Sequence, residues 1–148
     1  MKFPKPVTTK EHGTWAILLV PMAVAATTAG AFSVNAAFLA VSALGVFLSF
    51  VPLNSIMDEY MTSSHPGRFL ETALWCMVYL ALGVGAALPL IRDGFWMIVP
   101  LGSTAGLIFF THFILTRSLR KSIVTDIVAV AGLALGAPAM YYILTGSL

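Results

Sequence analysis

The chain has 148 residues, of which 59% are hydrophobic and only 9% charged, and its mean hydropathy is +0.93. Soluble domains carry roughly 25% charged residues, so this composition excludes an ordinary water-soluble enzyme and gives no reason to expect a nucleic-acid partner. A single integral membrane domain over 1–148 is expected, and its net charge of +2 matters less than the confinement of charge to short stretches between apolar runs.

A helix needs about 20 apolar residues to cross a hydrocarbon core about 30 Å thick at 1.5 Å per residue. Lys2, Lys5 and Lys10 lead into an apolar run too long for a signal peptide and without a small-residue cleavage site, so it reads as a permanent span. Five spans are predicted in chain order: Thr14 to Phe32, Val34 to Leu53, Leu70 to Ile91, Phe95 to Thr116 and Ile123 to Thr145. The fold class is therefore all-α, a polytopic membrane helix bundle. The first two spans are joined almost directly, the third and fourth through Arg92 to Gly94, and the fourth and fifth through Arg117 to Lys121. These neighbours are expected to form antiparallel hairpins, leaving Asn54 to Arg68 as the one real loop.

With five spans, Lys2, Lys5, Lys10, Arg68, Arg117, Arg120 and Lys121 fall on the N-terminal side of the membrane and Arg92 alone on the other. Basic residues in short loops mark the cytoplasmic face, which places the N-terminus inside and the C-terminus outside. Dropping one span would scatter these residues over both faces. Gly102 with Gly106 and Gly132 with Gly136 are GxxxG pairs, and Ala26 with Gly30 is similar; such spacing lets helix backbones approach closely within a bundle or across an oligomer interface. Pro21, Pro52, Pro89, Pro100 and Pro138 each remove a backbone donor. Bends at these positions would leave room for a ligand.

Glu11, His12, Asn54, Asp58, Glu59, His65, Glu71 and Asp126 join the basic residues at the cytoplasmic end, whereas the far side holds only Arg92 and Asp93. Any chemistry is therefore expected at the cytoplasmic mouth. His112, near the end of the fourth span, and Asp126, near the start of the fifth, come to similar depth across a tight turn and could hydrogen-bond. Ionisable groups at that depth usually face the bundle interior or a wet cavity. This pair fits a substrate-facing His and acid, a mutually satisfied polar pair, or an Asp settled by the helix macrodipole. Glu11 and His12 fit either a hydrated helix cap at the interface or membership of this polar ring.

Imidazole is the commonest metal ligand, yet no two of the three histidines share a helix at i, i+4. Haem ligation would need His12 and His112 at matched depth on facing helices, and the sequence gives that little support. The single cysteine, Cys76, permits no disulfide within one chain and no cysteine metal site. Trp75, Trp96, Tyr141 and Tyr142 lie toward span ends and read as interface anchors.

The stretch KEHGTWAILLVP, from Lys10 to Pro21, resembles the opening signature of the YwiC-like family of bacterial membrane proteins, and LRKSIVTDIVAVAGLALGAPAMYY, ending at Tyr142, resembles its later part. That resemblance implies a multi-pass protein of the bacterial cytoplasmic membrane and carries no biochemical role with it. More distantly, the chain is similar to the first half of the UbiA superfamily of intramembrane prenyltransferases. Gly13, Thr14 and Pro21 match its first element. Asn54 and Asp58 match the first and fifth positions of its NDxxDxxxD motif, and Arg120, Lys121, Gly136 and Pro138 match a Lys-Arg motif followed by a helix with a G…P ending. In that superfamily aspartates hold magnesium against a prenyl diphosphate while basic residues neutralise the phosphate oxygens. The resemblance thus implies Asp58, with Glu59 as a second carboxylate, as a magnesium ligand, and Arg68, Arg117, Arg120 and Lys121 as phosphate or headgroup ligands. Ser55 and Thr62 stand where the motif has further aspartates, and the superfamily's second aspartate motif lies beyond the fifth helix.

The reading these features favour is a non-catalytic subunit of a larger membrane assembly that binds an isoprenoid, a pigment or another lipid, with membrane lipids and other subunits or a second copy as partners. The alternative is a magnesium-dependent prenyltransferase completed by a second copy or a partner chain. A third is a transporter or proton-coupled subunit using Glu11, His112 and Asp126, although five spans do not give an inverted repeat of equal halves.

Overall fold

A computed structural model of the chain describes residues 12–62, 69–118 and 123–146, the side chains of 12–15, 59–62, 117 and 118 excepted. The described residues form six helices and no strand: α1 (His12–Ala29), α2 (Val34–Thr62), α3 (Phe69–Arg92), α4 (Ile98–Ser118), α5 (Ile123–Ala134) and α6 (Gly136–Thr145). Four stretches are long and apolar enough to cross a membrane, namely Val34–Asp58, Phe69–Arg92, Ile98–Thr116 and Ile123–Thr145. The described apolar part of α1, Ala16–Ala29, is shorter. The chain is therefore a membrane-type helical bundle with its elements where hydrophobic length places them.

Two boundaries differ from expectation. α2 continues to Thr62 rather than stopping near Leu53, so Asn54 to Thr62 are helical and not loop. Pro52 does not end the helix, because a packed membrane helix can leave one carbonyl to other partners, and Pro52 is among the most deeply buried side chains. The fifth span, by contrast, is interrupted at Leu135. Pro138 has no N–H for the carbonyl of Ala134, and its ring crowds that same oxygen. The interruption is local: Leu135 keeps near-helical angles, φ −62° and ψ −16°, and the Ala139 N–H donates to Leu135 O at 3.3 Å. Pro21 and Pro89 stand inside unbroken helices, and Pro100 sits in the first turn of α4, where no internal donor is lost. Of the five prolines, only Pro138 breaks its helix.

The turn between α1 and α2 is set by Gly30, whose φ of +64° favours glycine, and by Ser33, whose Oγ accepts the Ala36 N–H at 3.1 Å as a helix N-cap. Hydroxyls within the apolar helices turn back on their own backbone: Thr27 and Thr28 donate to Val24 O, Thr104 to Pro100 O, and Thr111 to Leu107 O. A polar group facing hydrocarbon without such a partner would cost several kcal/mol, on the order of 4–8 in an alkane-like medium.

Helices adjacent in sequence are not always the ones that pack. α2 and α3 pack along their length as an antiparallel pair, α1 lies against α6, and α4 against α5. The expected α3–α4 hairpin has its short connection, but among the described residues α3 and α4 make no extended contact. The α2–α3 seam is close because Gly45 faces Gly83. A Cβ on Gly45 would stand 2.6 Å from the Gly83 backbone nitrogen. Farther along the seam, the Cys76 thiol donates to Ser49 O at 3.6 Å. At its end Asn35 Nδ2 donates to Asp93 Oδ2 at 3.1 Å.

The core holds Leu18, Met22, Leu39, Phe47, Leu90, Leu133, Met140 and Ile143, with Leu90 fully buried. Gly136 lets Met22 of α1 come close, since a Cβ there would lie 3.0 Å from Met22 Cγ. Many large apolar side chains face outward, including Leu70, Met77, Leu107 and Ile127. That is the surface a bilayer covers, because lipid tails are as apolar as the side chains themselves.

Candidate functional site

The residues singled out by sequence separate into two ends. Asp58, Glu71 and Asp126 lie at the end where α2 finishes and α3 and α5 begin, and all three are exposed. Asn54 and Asp58 are one turn apart on α2 and both exposed, so they share a face. Glu59, His12 and Arg117 lie on helices with their side chains outside the described set, and Glu11, His65, Arg68, Arg120 and Lys121 lie outside the described residues. The polar ring is thus represented here by Asn54, Asp58, Glu71, His112 and Asp126. Among the described residues no group of three His, Cys, Asp or Glu side chains could hold a metal ion. Asp58 with Asn54 offers one carboxylate and one amide, short of what magnesium takes without substrate phosphates.

His112 is tied to the fifth span, but through backbone and not through the Asp126 carboxylate. His112 Nδ1 lies 2.8 Å from the carbonyl oxygen of Thr125. A carbonyl can only accept, so Nδ1 carries the proton and Nε2 is left to accept, or to donate when the ring is charged. Thr125 is almost completely buried while Asp126, the next residue, is exposed. Successive residues on a helix point about 100° apart, so the same turn of α5 can bind His112 on one side and present a carboxylate on the other. The indole N–H of Trp75, read from sequence as an interface anchor, is buried with no acceptor among the described residues, and its ring lies 5.6 Å from that of Tyr79. Trp96, in the α3–α4 connection, is exposed as an anchor should be. Tyr142 packs edge-on to Phe95 at 5.8 Å.

An apolar cavity lies elsewhere among the described residues. A cavity of about 440 Å³ separates the α2–α3 pair from α4, α5 and α6. Its walls are Leu39 to Phe47 on α2, Gly83 to Ile91 on α3, Ile98 to Phe109 on α4, and Gly132 to Ala139 across the α5–α6 break. The α2 and α3 stretches and nearly all of the α4 stretch belong to the half of each helix nearer Asn35, Arg92 and Asp93, whereas the α5–α6 stretch lies at mid-span and Leu18 of α1 adds a wall residue from the other half of its helix. Only the hydroxyls of Ser42 and Ser103 interrupt an otherwise apolar lining. Val84 and Leu88 on one side and Val99 on the other are 57%, 55% and 45% exposed. The cavity therefore opens sideways, between α3 and α4, toward the region a bilayer would fill.

All four glycines of the two GxxxG pairs line this cavity. Gly132 also serves packing, since a Cβ there would meet Ile108 Cγ2 at 3.1 Å, and Gly136 meets Met22. A Cβ on Gly102 or Gly106 meets nothing within 4 Å. Ala26 is a core residue, whereas Gly30 shapes a turn. Sequence spacing marked small residues correctly but did not distinguish a packed helix face from a cavity wall. The Gly45–Gly83 contact was missed because its glycines lie on different helices, each paired only with a larger small residue at four-residue spacing, Ser49 and Ala87.

Phe109 of α4 lines the cavity, and its ring lies 4.7 Å from that of Phe50 on α2, tilted by 31°. An apolar cavity of this size, in the range of about 300–1,000 Å³ typical of small-molecule sites, can hold hydrocarbon. Comparison with curated proteins and with solved structures gives no match. The profile of the YwiC-like protein family matches residues 9–141, nearly the whole sequence, and the chain belongs to that family.

Proposed function

We propose that this YwiC-like protein is a non-catalytic subunit of a larger assembly in the bacterial cytoplasmic membrane and that it holds the hydrocarbon chain of an isoprenoid, pigment or lipid between α3 and α4. The observation that carries the reading is the apolar, laterally open cavity of about 440 Å³. A short connection between α3 and α4 without extended contact between them supports an occupant that takes the place of helix–helix packing. The outward face of α4, with Leu107, Phe110 and Ile114 exposed, offers partner subunits a helix that the rest of the chain leaves largely uncovered.

Mass spectrometry of the gently solubilised protein tests both halves of the proposal. A stoichiometric apolar molecule and one or more associated membrane proteins are expected, and Gly106→Leu is expected to remove the small molecule while the fold survives. A stable monomer with nothing bound would sink the proposal.

Asn54 and Asp58, sharing an exposed face at the far end of α2, keep a second reading in view, prenyl transfer completed by a partner chain. It predicts magnesium-dependent consumption of a prenyl diphosphate, abolished by Asp58→Asn. The apolar cavity ends about two turns short of Asn54 on α2, at Phe47, so the first reading uses the space and the second uses only its approach.

A further inference from the structure

We infer that the cavity takes an acyl chain of a zwitterionic phospholipid from the leaflet on the Arg92 side, with the headgroup phosphate against Arg92 and its amine against Asp93. This rests on the hydrocarbon-binding reading above and names the ligand class and the end from which it binds.

Depth is the first argument. The α3 wall runs from Gly83 to Ile91, about 12 Å at 1.5 Å per residue. One leaflet of a hydrocarbon core about 30 Å thick is about 15 Å deep. The α4 wall, Ile98 to Phe109, is about 16 Å by the same rise, so the cavity runs from the Arg92 end to about mid-depth, the reach of a chain anchored at one interface.

Charge is the second argument. Arg92 stands one turn beyond Leu88, which stands one turn beyond Val84, so the guanidinium continues the face that lines the cavity. Its side chain is exposed and makes no hydrogen bond or ion pair among the described residues. Asp93 is held at the same rim by Asn35, which donates to Oδ2 at 3.1 Å and leaves Oδ1 available. A cation and an anion on successive residues match a headgroup that carries both charges, and guanidinium suits phosphate by its forked donors. An anionic headgroup would satisfy Arg92 but meet Asp93 as a like charge. A neutral diacylglycerol would use neither.

Chain-matched phosphatidylethanolamine, phosphatidylglycerol and diacylglycerol, titrated into delipidated full-length protein and followed by native mass spectrometry, separate these cases. Phosphatidylethanolamine is expected to bind best and diacylglycerol worst, each step being on the order of fivefold, the scale of one exposed charge pair. Arg92→Gln should bring phosphatidylglycerol to the diacylglycerol level and leave phosphatidylethanolamine ahead by the Asp93 step alone, and Asp93→Asn should remove the preference for ethanolamine over glycerol headgroups. Equal binding of all three lipids to the unaltered protein, or an order unchanged by Arg92→Gln, would overturn the headgroup assignment while leaving hydrocarbon binding intact. If Gly106→Leu leaves every lipid bound as before, the cavity itself is not the site and both readings fail together.

Discussion

At the seam between α2 and α3, a methyl group added to Gly45 would stand 2.6 Å from a backbone atom of the facing helix, whereas one added to Gly102 or Gly106 of α4 would meet nothing within 4 Å. The same residue type thus brings two helices together in one region and leaves space in the other. At the seam, glycine removes the side chain that would hold the backbones apart, and the Cys76–Ser49 and Asn35–Asp93 contacts follow along its length. On α4, glycine removes the side chain that would fill the cavity. The difference teaches that small-residue spacing reports a smooth helix face, and that what lies against the face decides its use.

The largest effect is expected at the seam. Gly45→Ala should destabilise the protein by about 1–3 kcal/mol, the usual cost of overpacking, because the obstructing atoms are backbone and cannot rotate away. Unfolding in mixed micelles would measure it, and an unchanged midpoint would show that the seam is looser than its glycines imply. Next comes loss of the α4 attachment. His112→Ala removes the bond to Thr125 O and should cost about 0.5–1.5 kcal/mol. A spin-label pair across α4 and α5 should report the widened distance; no widening would show that apolar packing alone holds α4.

Asn35→Ala should cost less than about 1 kcal/mol, since the Asp93 carboxylate is exposed and water can replace the lost donor. The smallest effect is expected at Gly102→Ala. With open space around the added methyl it should be neutral or stabilising by up to about 1 kcal/mol through helix propensity. A loss comparable to that of Gly45→Ala would erase the contrast between the two regions.

Four of the five expected spans recur as helices long and apolar enough to cross a membrane, and they were legible because hydrophobic length is a property of the chain itself and needs no tertiary information. The extension of α2 through Asn54 to Thr62 was not, because polar residues look like loop until the helix is seen to carry on past Pro52. Pro138 was recognised as a source of bending, but Pro21 and Pro89 have the same local chemistry and leave their helices continuous; sequence does not say which freed carbonyl finds compensation. His112 does meet the fifth span, at Thr125 O, a partner the sequence could not name because a backbone carbonyl leaves no trace in residue type. The cavity was invisible for a simpler reason. Chain neighbours α3 and α4 were expected to pack, and the space exists because they do not.

On the proposed hydrocarbon-binding reading, that lateral opening has a consequence for how occupancy is controlled. A molecule entering between Leu88 and Val99 comes from the plane of the membrane and never crosses water, so its supply is a mole fraction of the bilayer and not an aqueous concentration. A lipid that makes up a large share of the membrane needs only a weak preference to keep the cavity filled, while a scarce isoprenoid must displace it to enter. Occupancy would then follow membrane composition, and a change in lipid synthesis could empty or refill the bundle without any change in the protein.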